Sequence, residues 1–410
     1  MVVHIRSERK TKRADRIRSA RRPAVLLAFL LSAASCGSSA PESTEGSESP
    51  QTASSVQPTT SVTTTATTAV GDLGEEPASV LADGWVETEG SFETDLGTIY
   101  GTVTQPSDSG SAVSAALIIG GSGPTDRDGN SPGLPGSVDS LSAVTRWLAS
   151  NGVASLRYDK LGSGATGLGN LTPAAMASVG VEDYLAINAE ALRFLSDMPG
   201  VDPSRLGIVG HSEGALFAML LGAGEHANVS DVPEVQGLAL VAPLSIPILD
   251  LLRNQVTAQV DNARAAGQMT AADGSDFVDA LDVVIEATRT GRRLPDDLPA
   301  PLVGLFNEST IGYLRTQDAL DPRVIAADLP EAMTVLVTCS DADIQIACGD
   351  IAELVEALDA ADTDMTFVQL GGVAHSLKVD ASRSPANYGA DLPFSPELEE
   401  ALTEWAKTCC

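Results

Sequence analysis

From about residue 85 onward, short apolar runs alternate with longer amphipathic stretches. Residues 85–105 contain two β-rich runs separated by the turn Asp95-Leu96-Gly97, which predicts a β-hairpin. After the hairpin, compact apolar runs bounded by turn residues predict strands, and runs of 3.6-residue periodicity predict helices. We expect strands at 115–119, 153–158, 205–209, 235–241, 333–337 and 365–370, and helices at 138–151, 181–198, 215–221 and 396–407.

Buried strands that alternate with helices favour an α/β fold with a mostly parallel, doubly wound sheet. Residues 246–328 interrupt this alternation, because they contain several helical segments and no clear strand. They lie between two predicted strands, so they are typical of a helical cap inserted at the sheet edge where ligands bind. An ordinary long crossover is the alternative. We assign 81–410 to this one folded domain.

The first eighty residues predict an export signal and a tether. In residues 1–36, a basic stretch ending at Arg21-Arg22 precedes the apolar run AVLLAFLLSAAS and then Cys36. The last residues before Cys36 resemble a bacterial lipobox, which implies a lipidated cysteine, a membrane anchor and an extracytoplasmic location. An ordinary secretory signal is the alternative. Residues 37–80 are rich in Ser, Thr, Pro and Gly, and we expect a disordered linker.

The charge balance excludes one class of partner. The chain has a formal net charge of −30, and nine of its 25 Lys and Arg residues lie within residues 6–22. The remainder is therefore strongly acidic and would repel nucleic-acid phosphates. Such a charge instead fits an exported protein that electrostatic repulsion keeps soluble. No oligomeric state is predicted.

Residues 207–214, GIVGHSEG, contain a candidate nucleophile. Gly-x-Ser-x-Gly between a strand and a helix is typical of a nucleophile elbow, a sharp turn that exposes a serine hydroxyl. Gly210 and Gly214 fit this turn because larger side chains would collide with the adjoining strand and helix. The helix N-terminus would stabilise developing negative charge. We predict Ser212 as the nucleophile, with a plain strand-to-helix turn as the alternative.

A serine hydroxyl needs a base to become an effective nucleophile. His4 lies in the signal segment, His226 follows the far end of the helix after Ser212, and His211 should point away from the Ser212 hydroxyl. His375, in LGGVAHSLK, follows the last strongly apolar strand and so should lie at the same sheet edge as Ser212. We predict His375 as the base, and an ordinary surface histidine is the alternative.

The loop after strand 333–337, which reads CSDADIQI, should supply the acid that orients the histidine. We predict Asp343, with Asp341 as the second candidate. The order Ser212, Asp343, His375 is the order expected of this elbow fold. The alternative is that these aspartates only cap the next helix.

An oxyanion hole requires two backbone N–H groups that point toward the developing charge. One should belong to Glu213, directly after the nucleophile. The other should come from the glycine-rich loop after strand 115–119, and we predict Ser122 in Gly120-Gly121-Ser122-Gly123. Glycines there would let the backbone approach a substrate closely. A simple turn would explain the glycines but not their placement opposite the elbow.

Five separated motifs carry a family resemblance: GGSGPTDRDGN (120–130), RYDKLGSG (157–164), GHSEG (210–214), DADIQI (341–346) and GGVAHSLK (371–378). Together they resemble the serine aminopeptidase-like and dienelactone-hydrolase-like branch of the α/β hydrolases, especially bacterial carboxylesterases with a GSGPxDRDG loop. The similarity covers about residues 85–407.

The resemblance implies the triad Ser212, Asp343 and His375 together with a helical cap. Relatives usually carry Gly where this chain has Ser340. We interpret the charged run at 126–128 as a loop scaffold held by internal ion pairs rather than as reactive groups.

The cysteines fit an exported protein. Apart from Cys36, Cys339 and Cys348 lie around the Asp343 loop and Cys409-Cys410 end the sequence, which allows three pairings. We favour Cys339 with Cys348, because that bond would brace the loop. The adjacent pair could bond to each other, reach Cys348 or stay free. The sequence has neither CxxC pairs nor histidine clusters, so no metal is expected, and the proposed chemistry requires no cofactor.

These residues predict a serine hydrolase that cleaves small-molecule carboxylic esters through an acyl-enzyme. An aminopeptidase or amidase of the same fold is the second hypothesis, and it would need an acidic group near the pocket to hold the substrate amine. The third is a non-catalytic surface binding protein built on a hydrolase scaffold. An intact set of Ser212, Asp343 and His375 favours catalysis over this third hypothesis.

Overall fold

A computed structural model describes residues 80–81, 84–107, 111–132, 134 and 136–410. The predictions for the signal segment, for Cys36 and for residues 37–79 of the linker lie outside the described residues. Within the described ranges, no helix combines the length and the apolar character needed to cross a membrane.

One nine-stranded sheet forms the centre of the molecule, with the strand order β1-β2-β3-β5-β4-β6-β7-β8-β9. Strands β1 to β3 pair antiparallel, as do β3 and β5, whereas β5-β4-β6-β7-β8-β9 is a parallel run. The strands are β1 Val80–Leu81, β2 Trp85–Thr94, β3 Gly97–Pro106, β4 Val113–Ile119, β5 Ala154–Tyr158, β6 Val201–His211, β7 Gly237–Val241, β8 Thr334–Ser340 and β9 Asp364–Leu370.

Helices cover both faces of this sheet, because its central strands are apolar on both sides. Every residue of β5 and β7 is buried, which is typical of parallel strands between two helical layers. The predicted fold class, a mostly parallel doubly wound sheet, is confirmed. The helices outside residues 246–328 are α1 Ser140–Ser150, α2 Val181–Ser196, α3 Gly214–Gly222, α9 Cys348–Ala360 and α10 Pro396–Cys409.

The segment predicted as a cap, residues 246–328, contains five helices between β7 and β8; we call it the cap segment. Its two long helices pack together through apolar faces that include Val256, Val260, Leu281 and Val284. The side chain of Arg289 adds ion pairs to Asp250 and Asp318. The five helices are α4 Ile248–Ala265, α5 Ala271–Thr290, α6 Ala300–Leu305, α7 Ile311–Asp318 and α8 Pro322–Ala327.

Strand β1 was not predicted, and its first residue, Val80, is the last residue of the predicted linker 37–80. Two further elements differ from the sequence predictions. Strand β6 begins at Val201 rather than at residue 205, because its exposed residues Ser204 and Arg205 hide the strand from a hydrophobic pattern. Helix α9 was not predicted, although its buried residues Ile351, Leu354 and Leu358 have helical spacing. Both omissions lie at positions where polar residues dilute the apolar signal.

The end of α10 packs directly onto two glycines in the middle of the sheet. Gly207 on β6 and Gly237 on β7 are register partners. A Cβ at Gly207 would lie 2.8 Å from Cys410 Sγ, and a Cβ at Gly237 would lie 2.6 Å from Cys409 Cβ. The last turn of α10 therefore packs directly against the backbone of these two glycines.

Candidate active site

Ser212 occupies the sharp turn between β6 and α3, and its backbone is left-handed, with φ of 58°. A non-glycine residue adopts this conformation at a cost and keeps it only where its surroundings enforce it. The two flanking glycines provide the necessary space. A Cβ at Gly210 would lie 2.6 Å from Ala215 Cα, and a Cβ at Gly214 would lie 2.2 Å from the carbonyl oxygen of Ile119.

The backbone of Ser212 is fixed, while its hydroxyl is left unused. Its N–H donates to the Val241 carbonyl at 3.0 Å, and its own carbonyl accepts from the N–H of Leu244, also at 3.0 Å. Within the described chain the Ser212 hydroxyl makes no hydrogen bond, and it lines a cavity together with His375. The turn therefore presents this hydroxyl to whatever occupies the cavity.

His375 and Asp343 form a close, buried pair. His375 Nδ1 lies 2.7 Å from Asp343 Oδ2, and the two side chains are 8% and 2% exposed. The other carboxylate oxygen accepts the backbone N–H groups of Gln345 and Ile346 at 2.7 and 3.0 Å. Asp343 thus orients the imidazole while the N–H groups of its own loop hold it. It does not cap the next helix, because α9 begins at Cys348 without a side-chain cap.

Asp341, the second candidate acid, has a different partner. It is exposed, and its Oδ1 accepts the backbone N–H of Gly372 at 2.7 Å. The hydroxyl of Ser340, at the position where relatives usually carry Gly, accepts the N–H of Val373 at 3.1 Å. Both side chains therefore tie the acid-bearing loop to the loop that carries His375.

His211 lies closer to the site than the sequence reasoning expected. Its ring packs against that of His375 with 4.7 Å between centroids, and its Nε2 lies 3.1 Å from the His375 carbonyl oxygen. Burial lowers the pKa of His211 to about 3, and the adjacent His375 ring adds to this shift. His211 is therefore neutral at ordinary pH and donates its Nε2 proton to the His375 backbone. Its role is to support the His375 loop. His226 is not among the residues that line the cavity.

Two backbone N–H groups beside Ser212 remain available. Ser122 and Glu213 both line the cavity. Neither backbone N–H finds an acceptor within the described chain. The backbone at Gly121 also lies against the nucleophile, because a Cβ placed there would be 3.2 Å from Ser212 Cβ. These are the two N–H groups predicted to form the oxyanion hole.

The cavity has a volume of about 210 Å³ and lies between the carboxyl edge of the sheet and the cap segment. Its wall is mainly apolar, with a few amide and hydroxyl groups. Its apolar wall includes Leu141, Met176, Val179, Tyr184, Ile248, Leu251, Leu252, Leu305, Tyr313, Leu314, Ile344 and Tyr388. Its polar lining includes Gln255, Gln259, Ser309, Thr310, Gln317 and Ser376.

A buried ion pair in the cavity wall was missed by the sequence reasoning. Lys160 Nζ lies 2.9 Å from Glu213 Oε2, with the two side chains 5% and 3% exposed. The motif RYDKLGSG contains this lysine, but Lys160 and Glu213 are separated by 53 positions in the sequence, and no sequence signal indicated that they meet. Only the topology of the sheet brings them together.

The charged run at 126–128 does hold its loop in place, but its ion pairs reach outside the run. Arg127 contacts Asp159 at 2.8 Å and Glu89 at 2.6 Å. Asp128 contacts Arg157 at 3.1 Å. The loop is therefore anchored to β5 and β2 rather than by pairs within itself.

Two disulfides are present in the described chain. Cys339 and Cys348 are joined, with 5.3 Å between their Cα atoms, and this bond encloses the loop that carries Asp343. Cys409 is joined to its neighbour Cys410. Among the described residues, no group of three or more His, Cys, Asp and Glu side chains is arranged to hold a metal ion.

Several solved structures are similar to this chain. A thermostable esterase from Pseudomonas putida ECU1011 is 14% identical, with 80% of this chain and 83% of that chain covered and a TM-score of 0.46. Est1E from Butyrivibrio proteoclasticus is 15% identical, with 77% and 96% covered and a TM-score of 0.45. A hypothetical protein from Pseudomonas aeruginosa is 11% identical, with 82% and 97% covered and a TM-score of 0.47.

No protein-family model and no curated protein matches the chain. The elements of the chain itself define the fold. They place a serine on a strand–turn–helix elbow, followed in order by an aspartate and a histidine at later strand ends. The protein has the α/β-hydrolase fold.

Proposed function

We propose that the protein is a serine hydrolase that cleaves carboxylic esters through an acyl-enzyme on Ser212. The observation that carries the proposal is the 2.7 Å contact between His375 Nδ1 and Asp343 Oδ2, because His375 lines the same cavity as Ser212. The finer assignment, to the carboxylesterase branch with a GSGPxDRDG loop, stays a prediction from the sequence motifs.

In the proposed first half-reaction, the Ser212 hydroxyl attacks the ester carbonyl while His375 Nε2 takes its proton. Asp343 accepts a hydrogen bond from the Nδ1–H group of His375, which leaves Nε2 as the basic nitrogen, and its negative charge stabilises the imidazolium that forms. Within the described chain, no hydrogen bond joins Ser212 to His375. Such contacts often tighten only when substrate is bound.

The N–H groups of Ser122 and Glu213 would stabilise the oxyanion of each tetrahedral intermediate. His375 then returns its proton to the departing alcohol and the acyl group stays on Ser212. In the second half-reaction, His375 activates a water that attacks the acyl-enzyme, and Ser212 recovers its proton. The mainly apolar cavity wall favours an acyl or alcohol group without charge.

The charges in the cavity bear on the aminopeptidase alternative, which needs a carboxylate for the substrate amine. Glu213 carries the only carboxylate among the lining residues of the described chain. It is already bound by Lys160, by the Tyr313 hydroxyl and by the Gln317 amide, each at 2.9 Å. Because no free acid of the described chain faces the cavity, the ester hypothesis is favoured over cleavage of peptides with a charged N-terminus.

The test is hydrolysis of short p-nitrophenyl esters by the wild type and by Ser212→Ala. We expect the wild type to turn over these esters and to react with a fluorophosphonate probe, and the variant to do neither. A panel of aminoacyl amides run in parallel separates the two enzyme hypotheses. A wild type that neither hydrolyses esters nor reacts with the probe would favour the non-catalytic binding protein.

We also propose that the protein works outside the cytoplasm, tethered to the membrane through a lipidated Cys36. The support is the signal-like segment 1–36 and the Ser/Thr-rich stretch 37–80 that follows it. Two disulfides within the hydrolase domain fit an oxidising compartment.

A further inference from the structure

The ion pair between Lys160 and Glu213 has no part in the proton transfers of the proposed reaction. Both side chains are almost completely buried, and Lys160 Nζ lies 2.9 Å from Glu213 Oε2. Removing two charges from water costs about as much as their attraction returns, so such a pair contributes little net stability. What it does supply is a fixed geometry at the point where the nucleophile sits.

Lys160 fixes the first candidate oxyanion donor through a neighbouring carbonyl. Its Nζ donates to the carbonyl oxygen of Gly121 at 2.7 Å. In a trans peptide the C=O and the following N–H point in opposite directions. The Gly121 carbonyl turned toward Lys160 therefore turns the Ser122 N–H away from Lys160. Rotation of this peptide would break the bond to Lys160 and misdirect the N–H.

Glu213 fixes the second donor because its own backbone N–H is that donor. Its side chain is held on both oxygens: Lys160 contacts Oε2, and the hydroxyl of Tyr313 and the amide of Gln317 contact Oε1 at 2.9 Å each. Tyr313 stays protonated as a donor, since burial raises its pKa well above the usual value. These three hydrogen bonds to its carboxylate restrain Glu213, the residue that follows Ser212.

We propose that Lys160 and Glu213 are a positioning pair that holds both backbone donors of the oxyanion hole at once. The Lys160 ammonium binds both the Gly121 carbonyl and the Glu213 carboxylate. It therefore contacts the segments that carry both N–H donors, those of Ser122 and Glu213. The inference rests on the proposed function, because an oxyanion hole acts only if Ser212 forms a tetrahedral intermediate.

Lys160 is not itself a candidate acid, base or substrate anchor. Its Nζ is occupied by the Gly121 carbonyl and by Glu213, and it also lies 5.3 Å from the centre of the Tyr184 ring. An ammonium group with two acceptors and an aromatic face against it has little capacity left for a ligand. Its effect on the reaction is therefore transmitted through the backbone that it holds.

The test compares the wild type with Lys160→Met, which removes the ammonium group and keeps the alkyl stem. We expect kcat for p-nitrophenyl butyrate to fall by about 10² and KM to change less than about twofold, as for loss of an oxyanion donor. Inhibition by a trifluoromethyl ketone, which forms a tetrahedral adduct, should weaken by a similar factor. Lys160→Arg should restore part of both.

The double variant Lys160→Met/Glu213→Gln leaves no unpaired buried charge and should show the same loss of kcat if the single variant does not fold. Arg323→Met is the control, since Arg323 is a half-buried cation that also pairs with two carboxylates, Asp321 and Glu353, and is not among the residues that line the cavity. It should lower the melting temperature and leave kcat and ketone inhibition unchanged.

Two results would overturn the positioning role: a Lys160→Met enzyme that keeps kcat within twofold, or one in which only the melting temperature and KM change. Failure of the proposed function is recognised separately. It would appear as a wild type without esterase activity or as full activity in Ser212→Ala, whereas the positioning role is judged from the ratio of each variant to an active wild type.

Discussion

Two residues at the site adopt states that cost free energy, and the rest of the fold has to stabilise them. Ser212 holds a left-handed backbone conformation, and His211 is buried as a neutral imidazole. In the structure, His375 contacts Asp343 and lines the same cavity as Ser212. The sequence predicted these three residues from their motifs and from their order along the chain. It did not reveal the Lys160–Glu213 pair or the stacking of His211 on His375, because both depend on segments that meet only after folding.

The strained backbone at Ser212 predicts that a glycine at this position is more stabilising than an alanine, the reverse of the usual order. A left-handed backbone costs a non-glycine residue about 1–2 kcal/mol, and glycine avoids this cost. Part of that gain in stability is lost because glycine has more conformational freedom in the unfolded chain. Ser212→Gly should therefore be about 1 kcal/mol more stable than Ser212→Ala in urea unfolding, although both are inactive.

The buried serine Ser376, which lacks a positive φ, provides the control. At Ser376 the alanine variant should be more stable than the glycine variant. The same order at both positions would contradict the assignment of strain to Ser212.

The neutral state of His211 predicts a specific sensitivity to acid. Its pKa of about 3 in the folded protein lies below the value of about 6.5 in an unfolded chain, so the unfolded state binds the proton first. The free energy of unfolding should then fall as the pH drops from 6.5 toward 3. Between about pH 7 and about pH 5, the wild type should lose about 2 kcal/mol more than His211→Gln.

Urea unfolding at several pH values measures this difference. His226→Gln is the matched replacement at a histidine outside the cavity wall, and it should keep the wild-type slope. Equal slopes for wild type and His211→Gln would mean that His211 is protonated or exposed in solution.

At the scale of elements, the hydrophobic pattern predicted the alternation of strands and helices within a few residues. It placed the hairpin of β2 and β3 and every parallel strand, because apolar runs in buried strands are strong local signals. Helix α9 and the first residues of β6 were missed where exposed polar residues dilute that signal. Which side chains of the cap segment line the cavity was not predictable, because this depends on contacts between distant helices.

The disulfide between Cys339 and Cys348 predicts a link between oxidation and catalysis. It closes a loop over nine sequence positions that includes Asp343. The chain-entropy relation gives about 2.5 kcal/mol of stability for a loop of this length. Cys339→Ala/Cys348→Ala should lose about that much stability and about tenfold in kcat, since the acid that orients His375 becomes mobile.

Cys409→Ala/Cys410→Ala is the control, because that pair packs under the sheet away from the cavity. It should keep its kcat. A Cys339→Ala/Cys348→Ala enzyme with wild-type kcat would show that the loop needs no covalent brace.

At the scale of the whole molecule, the chain separates a basic beginning from an acidic body. Nine of the 25 Lys and Arg residues lie in residues 6–22, while the net charge of the whole chain is −30. The cavity in the described chain is lined by one lysine and one carboxylate, which neutralise each other. The site is therefore suited to neutral substrates despite the acidic composition of the body.

The proposed tether predicts a cysteine-dependent location. Expressed in a bacterial host, the wild type should sediment with the membrane fraction and incorporate an alkynyl fatty acid. Cys36→Ser should show neither behaviour and should keep its esterase activity, because the hydrolase domain begins far downstream of Cys36. A Cys36→Ser protein that still carries the fatty acid would exclude this residue as the attachment point.

The two glycines under α10 affect how a mutational scan of this chain should be interpreted. Gly207 and Gly237 have no free volume above them, although neither is among the residues that line the cavity. Selection for function would reject every substitution there as firmly as at Gly210 and Gly214. A glycine that tolerates no substitution can therefore be required in this protein either for packing under α10 or for the turn that holds Ser212. An assay that measures the amount of folded protein separately from its turnover distinguishes the two requirements.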